Sequence, residues 1–245
     1  MPLIEIKDLT KSYDSDLPDG KAGGVATRAL DHVSLNIEKS EFVAIMGPSG
    51  SGKSTLLHIL GFLDNPTSGE YLLDGKLSTD YSKEEVAKVR NKKFGFIFQS
   101  FNLLRRTSVL DNIKLPLLYS DIPEHLWNDL AKEALERVGL THRLHHQPSQ
   151  LSGGEQQRAA IARALVNKPE IIFADEPTGN LDSKSGKIVM ETIQKLNEEK
   201  GITIILITHE TYTAEHAQRI ITLKDGQIES DRKVVKRKSA DKFIK

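Results

Sequence analysis

Four short runs of apolar residues punctuate the chain, each bounded by polar or glycine-containing stretches. They lie at 41–46, 94–98, 170–174 and 203–208. Continuous apolar runs of this length are typical of strands that are buried on both faces, as in a parallel sheet covered by helices. Residues 1 to about 40, together with Gly69–Gly75, contain further short strand-like runs that predict an antiparallel β-layer. The pattern therefore predicts an α/β fold with a mainly parallel core sheet and an antiparallel β-layer.

Helical patterns dominate the stretch between the second and third apolar runs. Residues 100 to 165 are predicted to be largely helical, and Pro123–Val138 is the clearest amphipathic helix. Proline suits the first turn of a helix, and Gly139 is placed to end it. We therefore expect a helical subdomain at about 100–165, inserted into a single domain over residues 1–230, followed by a basic C-terminal tail at 231–245.

Composition narrows the class of protein without naming its chemistry. A chain of 245 residues suits one α/β domain with an embedded subdomain. Lysine plus arginine and aspartate plus glutamate both number 34, so charge gives no reason to expect a nucleic-acid partner. Cysteine is absent, which excludes a disulfide framework. No apolar stretch has the length of a membrane span and no signal peptide opens the chain, so we expect a cytoplasmic protein.

The first chemical motif follows the first apolar run. Its residues fit the pattern G-x-x-x-x-G-K-[ST] between a predicted strand and a predicted helix. Such a loop turns successive backbone N–H groups towards phosphates, and the start of the helix adds partial positive charge. We expect Lys53 to reach the β- and γ-phosphates of ATP and the Ser54 hydroxyl to bind Mg²⁺. The motif comprises Gly47, Pro48, Ser49, Gly50, Ser51, Gly52, Lys53, Ser54 and Thr55.

Polar residues follow two of the other apolar runs. Asp175 and Glu176 come after the run at 170–174, and His209 comes shortly after the run at 203–208. The carboxyl ends of parallel strands line the crevice where open α/β sheets bind ligands. We expect Asp175 to hold Mg²⁺, Glu176 to polarise the attacking water, and His209 to contact the γ-phosphate. The alternatives are a solvated acidic turn and a structural histidine.

A second glycine-containing motif lies about a hundred residues after the first. Ser152, Gly153 and Gly154 precede a predicted helix that continues to Leu165, so this helix start is a second potential anion site. A plain helix cap is the alternative interpretation. With this motif, Leu151–Gln157, the chain resembles the ATPase subunit of ABC transporters over roughly residues 3 to 230. The motifs occur in family order: the Walker A at Gly47–Thr55, the Q-loop at Gln99, the signature at Leu151–Glu155, the Walker B at Ile171–Glu176, the D-loop at Leu181–Asp182 and the switch at His209.

The resemblance implies roles for individual residues. Tyr13 would stack on adenine, and Gln99 would contact Mg²⁺ and the attacking water while sensing a transporter partner. Ser152, Gly153, Gly154 and Glu155 would face the γ-phosphate of ATP that another copy of the chain holds. Two copies would then enclose two ATP molecules in a head-to-tail dimer with two-fold symmetry, with Asp182 in the D-loop. The P-loop NTPase fold of ABC ATPases, the cofactors ATP and Mg²⁺, and ATP hydrolysis follow from the same resemblance.

Finer features resemble one branch of this family. They are the segments Phe94–Leu104, Ser108–Ile113, Asp64–Gly69 and Pro177–Ser183. The branch includes lipoprotein-releasing, macrolide-export and antimicrobial-peptide-export ATPases, whose permeases carry large extracytoplasmic domains. The resemblance implies a separate permease, attachment to the inner face of the cell membrane, and work by export, extrusion or mechanotransmission. We expect Phe101 to Arg106 to contribute to the groove for a permease helix.

Two rival functions stay open at the level of sequence. One is a soluble ABC-type ATPase that acts on DNA or ribosomes, although such relatives carry long coiled-coil insertions or two cassettes in one chain. The other is a P-loop kinase, which would have no use for the signature at Ser152.

The chain departs from the family pattern at two places, Ser40 and a polar insert, and its basic tail is a separate feature. Ser40 replaces a usual glycine, which we expect to matter only if its φ is positive. A polar insert, Asp14–Thr27, separates Tyr13 from the next strand. The tail Asp231–Lys245 carries seven Lys or Arg against two Asp, and it could contact anionic lipid or a partner, or be solvated.

Overall fold

The structure, a computed structural model, describes residues 1–13 and 27–238. Nearly all of the polar insert and the last part of the basic tail therefore lie outside the described residues. The strands of the described part are β1 (Ile4–Tyr13), β2 (Thr27–Ile37), β3 (Phe42–Met46), β4 (Ser68–Leu73), β5 (Lys76–Leu77), β6 (Phe94–Phe98), β7 (Ile171–Asp175), β8 (Thr203–Thr208), β9 (Arg219–Lys224) and β10 (Gln227–Lys233).

Two sheets form from these strands. The larger has the order β10-β9-β3-β8-β7-β6, in which all neighbours are parallel except β10, which runs antiparallel to β9. The smaller is antiparallel, with the order β2-β1-β4-β5. This arrangement confirms the predicted core sheet and β-layer. The sequence prediction had not assigned β9 and β10, which extend the core sheet beyond β3.

The helices of the described part are α1 (Lys53–Leu60), α2 (Lys83–Lys93), α3 (Val109–Lys114), α4 (Trp127–Arg137), α5 (Gly153–Leu165), α6 (Ser183–Lys200) and α7 (Thr211–Ala214). The predicted helix at 123–138 begins differently: Pro123 caps a 3₁₀ turn, Glu124–Leu126, and α4 starts only at Trp127. Gly139 follows the helix with a φ of 68°. A positive φ of this kind is what favours glycine just after a helix.

The core sheet is buried on both faces, as its apolar runs predict. Along β3, Phe42 and Ala44 belong to one buried cluster, whereas Val43 and Ile45 belong to another. Successive side chains of a strand point to opposite faces, so these two clusters are the two sides of one sheet. Helix α1 and the β-layer cover one side, and α5 and α6 cover the other. The sheet therefore holds the carboxyl ends of β3, β7 and β8 at one shared edge.

The last described residues pack against the body of the domain. Strand β10 runs on to Lys233, so residues 231–233 of the predicted tail belong to the sheet. Beyond it, Arg237 donates to Glu198 at 2.8 Å and Lys238 pairs with Glu215 at 2.6 Å. The domain boundaries at 230 and 231 stay predictions, but the tail up to residue 238 is folded onto α6 and the segment after α7.

Ser40 has the positive φ on which its effect was expected to depend. Its φ is 61°, a left-handed conformation that an L-residue adopts at a cost. Two hydrogen bonds hold it there: its hydroxyl donates to the carbonyl of Gly201 at 2.7 Å, and its N–H donates to the Thr203 hydroxyl at 3.0 Å. The serine lacks the conformational freedom of a glycine, but its side chain makes a hydrogen bond to the loop before β8 that a glycine could not make.

Candidate active site

The predicted phosphate-binding loop connects β3 to α1. Gly47 has a φ of 153° and Gly52 a φ of 97°, which side chains rarely tolerate. Neighbouring backbone also excludes a side chain at both positions. A Cβ at Gly47 would lie 2.2 Å from the carbonyl oxygen of Leu223, and one at Gly52 would lie 2.3 Å from that of Ala29. These glycines therefore let the loop wrap against β9 and β2.

Lys53 closes the loop on itself. Its ammonium donates to the carbonyl oxygens of Gly47 at 2.9 Å and Pro48 at 2.7 Å. Burial lowers the pKa of Lys53, an effect that the nearby carboxylates of Glu176 and Asp175 oppose. The ammonium is thus held at the loop by neutral carbonyl oxygens, which an anion at the same place could replace as its partner.

A cavity of about 610 Å³ opens beside this loop. Its volume falls in the range of small-molecule binding sites. Its lining joins the loop to two of the predicted catalytic residues, and it also includes Ala29, which the sequence prediction missed. The lining residues are Ala29, Pro48, Ser49, Gly50, Gly52, Lys53, Ser54, Thr55, Glu176 and His209.

Glu176 has a strained backbone at the end of β7. Its φ is 44°, and its N–H donates to the carbonyl of Ile207 on β8 at 2.9 Å. Its side-chain oxygen Oε1 lies 2.8 Å from Nδ1 of His209, so these two predicted residues are in direct contact. A left-handed conformation in a non-glycine residue costs on the order of 1–3 kcal/mol and persists only where the surroundings enforce it. The backbone bond and the histidine contact are such surroundings.

Asp175 lies in register between neighbouring strands. It pairs with Phe98 of β6 and with Ile207 of β8. Burial, and then the charge of Glu176, raises the pKa of Asp175, while Lys53 acts in the opposite direction. A half-buried carboxylate beside a second carboxylate is a site that favours a nearby cation.

Gln99 follows β6 directly and lies against the segment after β7. Its backbone carbonyl accepts a hydrogen bond from the Asn180 side chain at 3.1 Å. Its side chain fills the space beside Gly179, where an added Cβ would come within 2.6 Å of Nε2. Gln99 therefore lies near the Walker B end but outside the residues that line the 610 Å³ cavity.

The signature residues form a capping box at the start of α5. The Ser152 hydroxyl accepts from the N–H of Glu155 at 3.3 Å, and the Glu155 carboxylate accepts from the N–H of Ser152 at 2.9 Å. Arg143 donates to the same carboxylate at 2.9 Å. The Ser152 N–H, followed by the Ser152 hydroxyl and Arg143, lowers the pKa of Glu155 to about 2. The predicted helix cap is therefore present.

The remaining predicted residues lie away from the cavity lining. Among the described residues, none of 151–157 lines the 610 Å³ cavity. The Tyr13 hydroxyl donates to Asp64 at 2.9 Å, and Lys11 lies over the Tyr13 ring at 4.8 Å from its centroid. Asp182 caps α6 by accepting the Ser185 N–H at 2.9 Å. One chain thus brings together the loop, Glu176 and His209, but leaves the signature apart.

A second cavity, of about 380 Å³, lies at the edge strand β6, where α2 and the helical block meet it. At its rim Arg163 donates to the carbonyls of Phe101 and Asn102, two residues with positive φ. Aromatic, proline and arginine side chains share its walls. The lining residues are Arg90, Asn91, Phe94, Gly95, Phe96, Phe98, Asn102, Pro116, Arg163, Ala164 and Asn167. None of the helices within the described ranges is both long and apolar enough to cross a membrane.

Comparison with known proteins gives matches along nearly the whole chain. A family model described as ABC transporter matches residues 30–179. The macrolide export ATP-binding/permease protein MacB of Bdellovibrio bacteriovorus is 51% identical over 232 residues, which are 95% of this chain and 34% of that protein. This chain thus spans about a third of the length of such relatives. An uncharacterized ABC transporter ATP-binding protein of Thermotoga maritima is 48% identical, with 93% of this chain and 94% of that protein covered.

Solved structures agree with the sequence matches. The ATP-binding cassette MJ0796, in a dimeric post-hydrolysis state bound to ADP and Pi, superposes with a TM-score of 0.84 at 45% identity. The match covers 95% of this chain and 99% of that one. MJ0796 comes from Methanocaldococcus jannaschii. The fold, the phosphate-binding loop and these matches together show that the chain belongs to the ABC transporter family.

Proposed function

We propose that two copies of this chain bind and hydrolyse two ATP molecules between them and so power a separate membrane permease. The observation that carries this proposal is the division of the site. The cavity contains the loop, Glu176 and His209, whereas the signature at Ser152 lies elsewhere on the same chain. A head-to-tail dimer with two-fold symmetry would bring the signature of one copy to the cavity of the other.

The start of α5 has backbone N–H groups that would bind an anion. In its capping box the Glu155 carboxylate accepts a hydrogen bond from the N–H of Ser152, and the Ser152 hydroxyl accepts one from the N–H of Glu155. The N–H groups in the first turn of a helix have no partner within the helix. Within the described residues no acceptor is assigned to the N–H groups of Gly153 and Gly154, which supports their donation to the γ-phosphate of the ATP held by the other copy.

The residues at the loop fit a triphosphate and its metal. Lys53 would exchange its two carbonyl partners for the β- and γ-phosphates. The Ser54 hydroxyl, Asp175 and Gln99 would supply the oxygen ligands that Mg²⁺ prefers. Bound Mg²⁺ would neutralise charge on the phosphate oxygens. Tyr13 would stack on adenine through its ring, and Asp182 would lie in the interface.

Glu176 would orient the attacking water. Its carboxylate lies at the cavity wall, and its contact to His209 at 2.8 Å fixes one of its two oxygens. The other oxygen would then accept a proton from water, and His209, which lines the same cavity, would contact the γ-phosphate. A positioned donor such as His209 would stabilise charge as it develops in the transition state.

The 380 Å³ cavity is the place where the permease would dock. It lies between the core sheet and the helical block, next to the predicted segment Phe101 to Arg106. Gln99 directly follows Phe98, which lines this cavity, and its backbone carbonyl accepts a hydrogen bond from Asn180 near the Walker B end. Through this connection, movement of a docked permease would be coupled to the state of the nucleotide. The relatives named for macrolide export support a role in export. The resemblance seen in the sequence further implies work by export, extrusion or mechanotransmission, through a permease that would carry a large extracytoplasmic domain. The protein would then be cytoplasmic and peripheral on the inner face of the membrane.

The test is the variant Glu176→Gln. We expect it to retain ATP binding, to lose nearly all turnover and to elute as a dimer in gel filtration with ATP. Glu170→Gln, directly before the first residue of the same core strand, is the matched control and should hydrolyse ATP normally without a trapped dimer. Normal turnover by Glu176→Gln would refute the role of Glu176, and a monomer in ATP would refute the shared site.

Co-purification tests the partner. A membrane protein recovered with the tagged chain supports transport. Recovery of ribosomes or DNA instead would support the rival class of soluble ABC-type ATPases.

A further inference from the structure

The two glycines of the signature have different surroundings. A Cβ added at Gly153 would meet its nearest atom at 3.6 Å, an ordinary contact with Leu181. A Cβ added at Gly154 would lie 2.6 Å from Oγ and 2.7 Å from Cβ of Ser185. Neither glycine has a positive φ, so backbone conformation does not require glycine at either position. Among the described residues, a side chain at Gly154 would therefore clash with its neighbours, whereas one at Gly153 would not.

Ser185 is held in place on its own helix. Its N–H donates to Oδ1 of Asp182 at 2.9 Å, and its hydroxyl donates to Oδ2 of the same carboxylate at 2.7 Å. Its Cβ, moreover, cannot move without the backbone of α6. A clash with a fixed Cβ is relieved only when one of the two elements shifts. The start of α6 therefore limits how the start of α5 can be placed.

We infer that Ser185 is a positioning residue for the signature: by filling the space beside Gly154, it fixes the start of α5 relative to the capped start of α6. This inference rests on the proposed function, because it assigns importance to where the signature N–H groups lie. Its consequence is a division of roles. Gly154 is glycine because of Ser185, whereas Gly153 is glycine because of what approaches it from outside the chain.

A different explanation makes a distinct prediction. If both glycines are required only because the nucleotide of the other copy comes close, the residue at position 185 should not affect either of them. Removing the Ser185 side chain separates the two explanations, since it opens the space beside Gly154 and leaves the space beside Gly153 unchanged.

The experiment compares Gly154→Ala, Gly153→Ala and Ser185→Gly, singly and as the double variants G154A/S185G and G153A/S185G. Each is made in the Glu176→Gln background for ATP-dependent dimerisation, and in the otherwise unchanged chain for kcat and KM. Nucleotide-free thermal midpoints record whether each variant is folded. We expect G154A to lower both the thermal midpoint and kcat, the latter by about tenfold, with KM changed less because the loop at Lys53 is untouched.

The result expected is a selective rescue. S185G should restore dimerisation and most of kcat to G154A, and should do nothing for G153A, which should fold normally and fail to dimerise. Rescue of neither variant, or equal rescue of both, would overturn the inference. The Glu176→Gln parent is measured first: if it stays monomeric with ATP, it is the proposed shared site that fails. Should G154A alone not fold, the folded state and activity of G154A/S185G decide the question.

Discussion

The sharpest test of the signature's electrostatics is the variant Glu155→Gln. In the structure the Glu155 carboxylate accepts from the Ser152 N–H and from Arg143, both at 2.9 Å. Glutamine keeps an oxygen that can accept from Ser152 but lacks the negative charge. The substitution therefore removes the charge and the acceptor for Arg143, and leaves the capping-box hydrogen bond from the Ser152 N–H possible.

The magnitude follows from the pKa of Glu155, which is lowered from 4.5 to about 2. Taken in full, that difference corresponds to about 3 kcal/mol in favour of the folded state. The start of α5 lies at the surface, where solvent screens charges, so we expect about 1–2 kcal/mol at neutral pH. For a domain of this length, this is a loss of about 2–8 °C in Tm.

The pH dependence has a definite sign. A lowered folded-state pKa means that the stabilisation is complete above about pH 5 and is lost as the pH falls from 4.5 towards 2. The gap between the parent and Glu155→Gln, measured by urea unfolding, should therefore shrink to less than half near about pH 3. Glu133→Gln is the matched control, since it removes a carboxylate from an exposed pair with Arg137 at 2.7 Å and should change stability by less than about 0.5 kcal/mol. A gap for Glu155→Gln that is constant with pH, or no larger than the control's, would refute the reasoning.

Substitutions at two further sites test the folded tail and the unusual serine by thermal unfolding. Arg237→Ala removes a hydrogen bond to Glu198 at 2.8 Å, and we expect a loss of about 1–3 kcal/mol, whereas the exposed neighbour Lys236→Ala should change stability by less than about 0.5 kcal/mol. Equal effects would show that the tail does not contribute to the fold. Ser40→Ala keeps the positive φ and loses the bond to Gly201, so it should cost about 1 kcal/mol. Ser40→Gly loses the same bond but relieves the backbone, so it should be closer to neutral; if it proves the worse of the two, the backbone argument is wrong.

The parts of the site that the sequence could predict are those whose neighbours are close in sequence. The loop at 47–55 needs a strand before it and a helix after it, and all three lie within twenty residues of chain. The strand ends at Asp175 and Thr208 follow the same logic, because parallel strands in one sheet place their carboxyl ends together. The contact between Glu176 and His209 follows from adjacent strands.

Features that depend on distant packing escaped prediction. Ala29 lines the cavity because β2 passes beside Gly52, and a small apolar residue carries no chemical signal of that role. The bond between Tyr13 and Asp64 joins the first strand to the segment after α1, and no local pattern indicates it. Ser185 likewise reads as an ordinary helix residue in the sequence, because its proximity to Gly154 arises only from the packing of α6 against α5.

Charge balance at the signature connects the capping box to the proposed function. A carboxylate at a helix start offsets the partial positive charge that would attract a phosphate. Glu155 is such a carboxylate, and a bare negative charge there would repel the γ-phosphate that we propose the other copy to hold. Arg143 pairs with it at 2.9 Å, so the two side chains together are close to neutral. The helix start is thus capped without presenting a net negative charge, and the N–H groups of Gly153 and Gly154 remain as its donors.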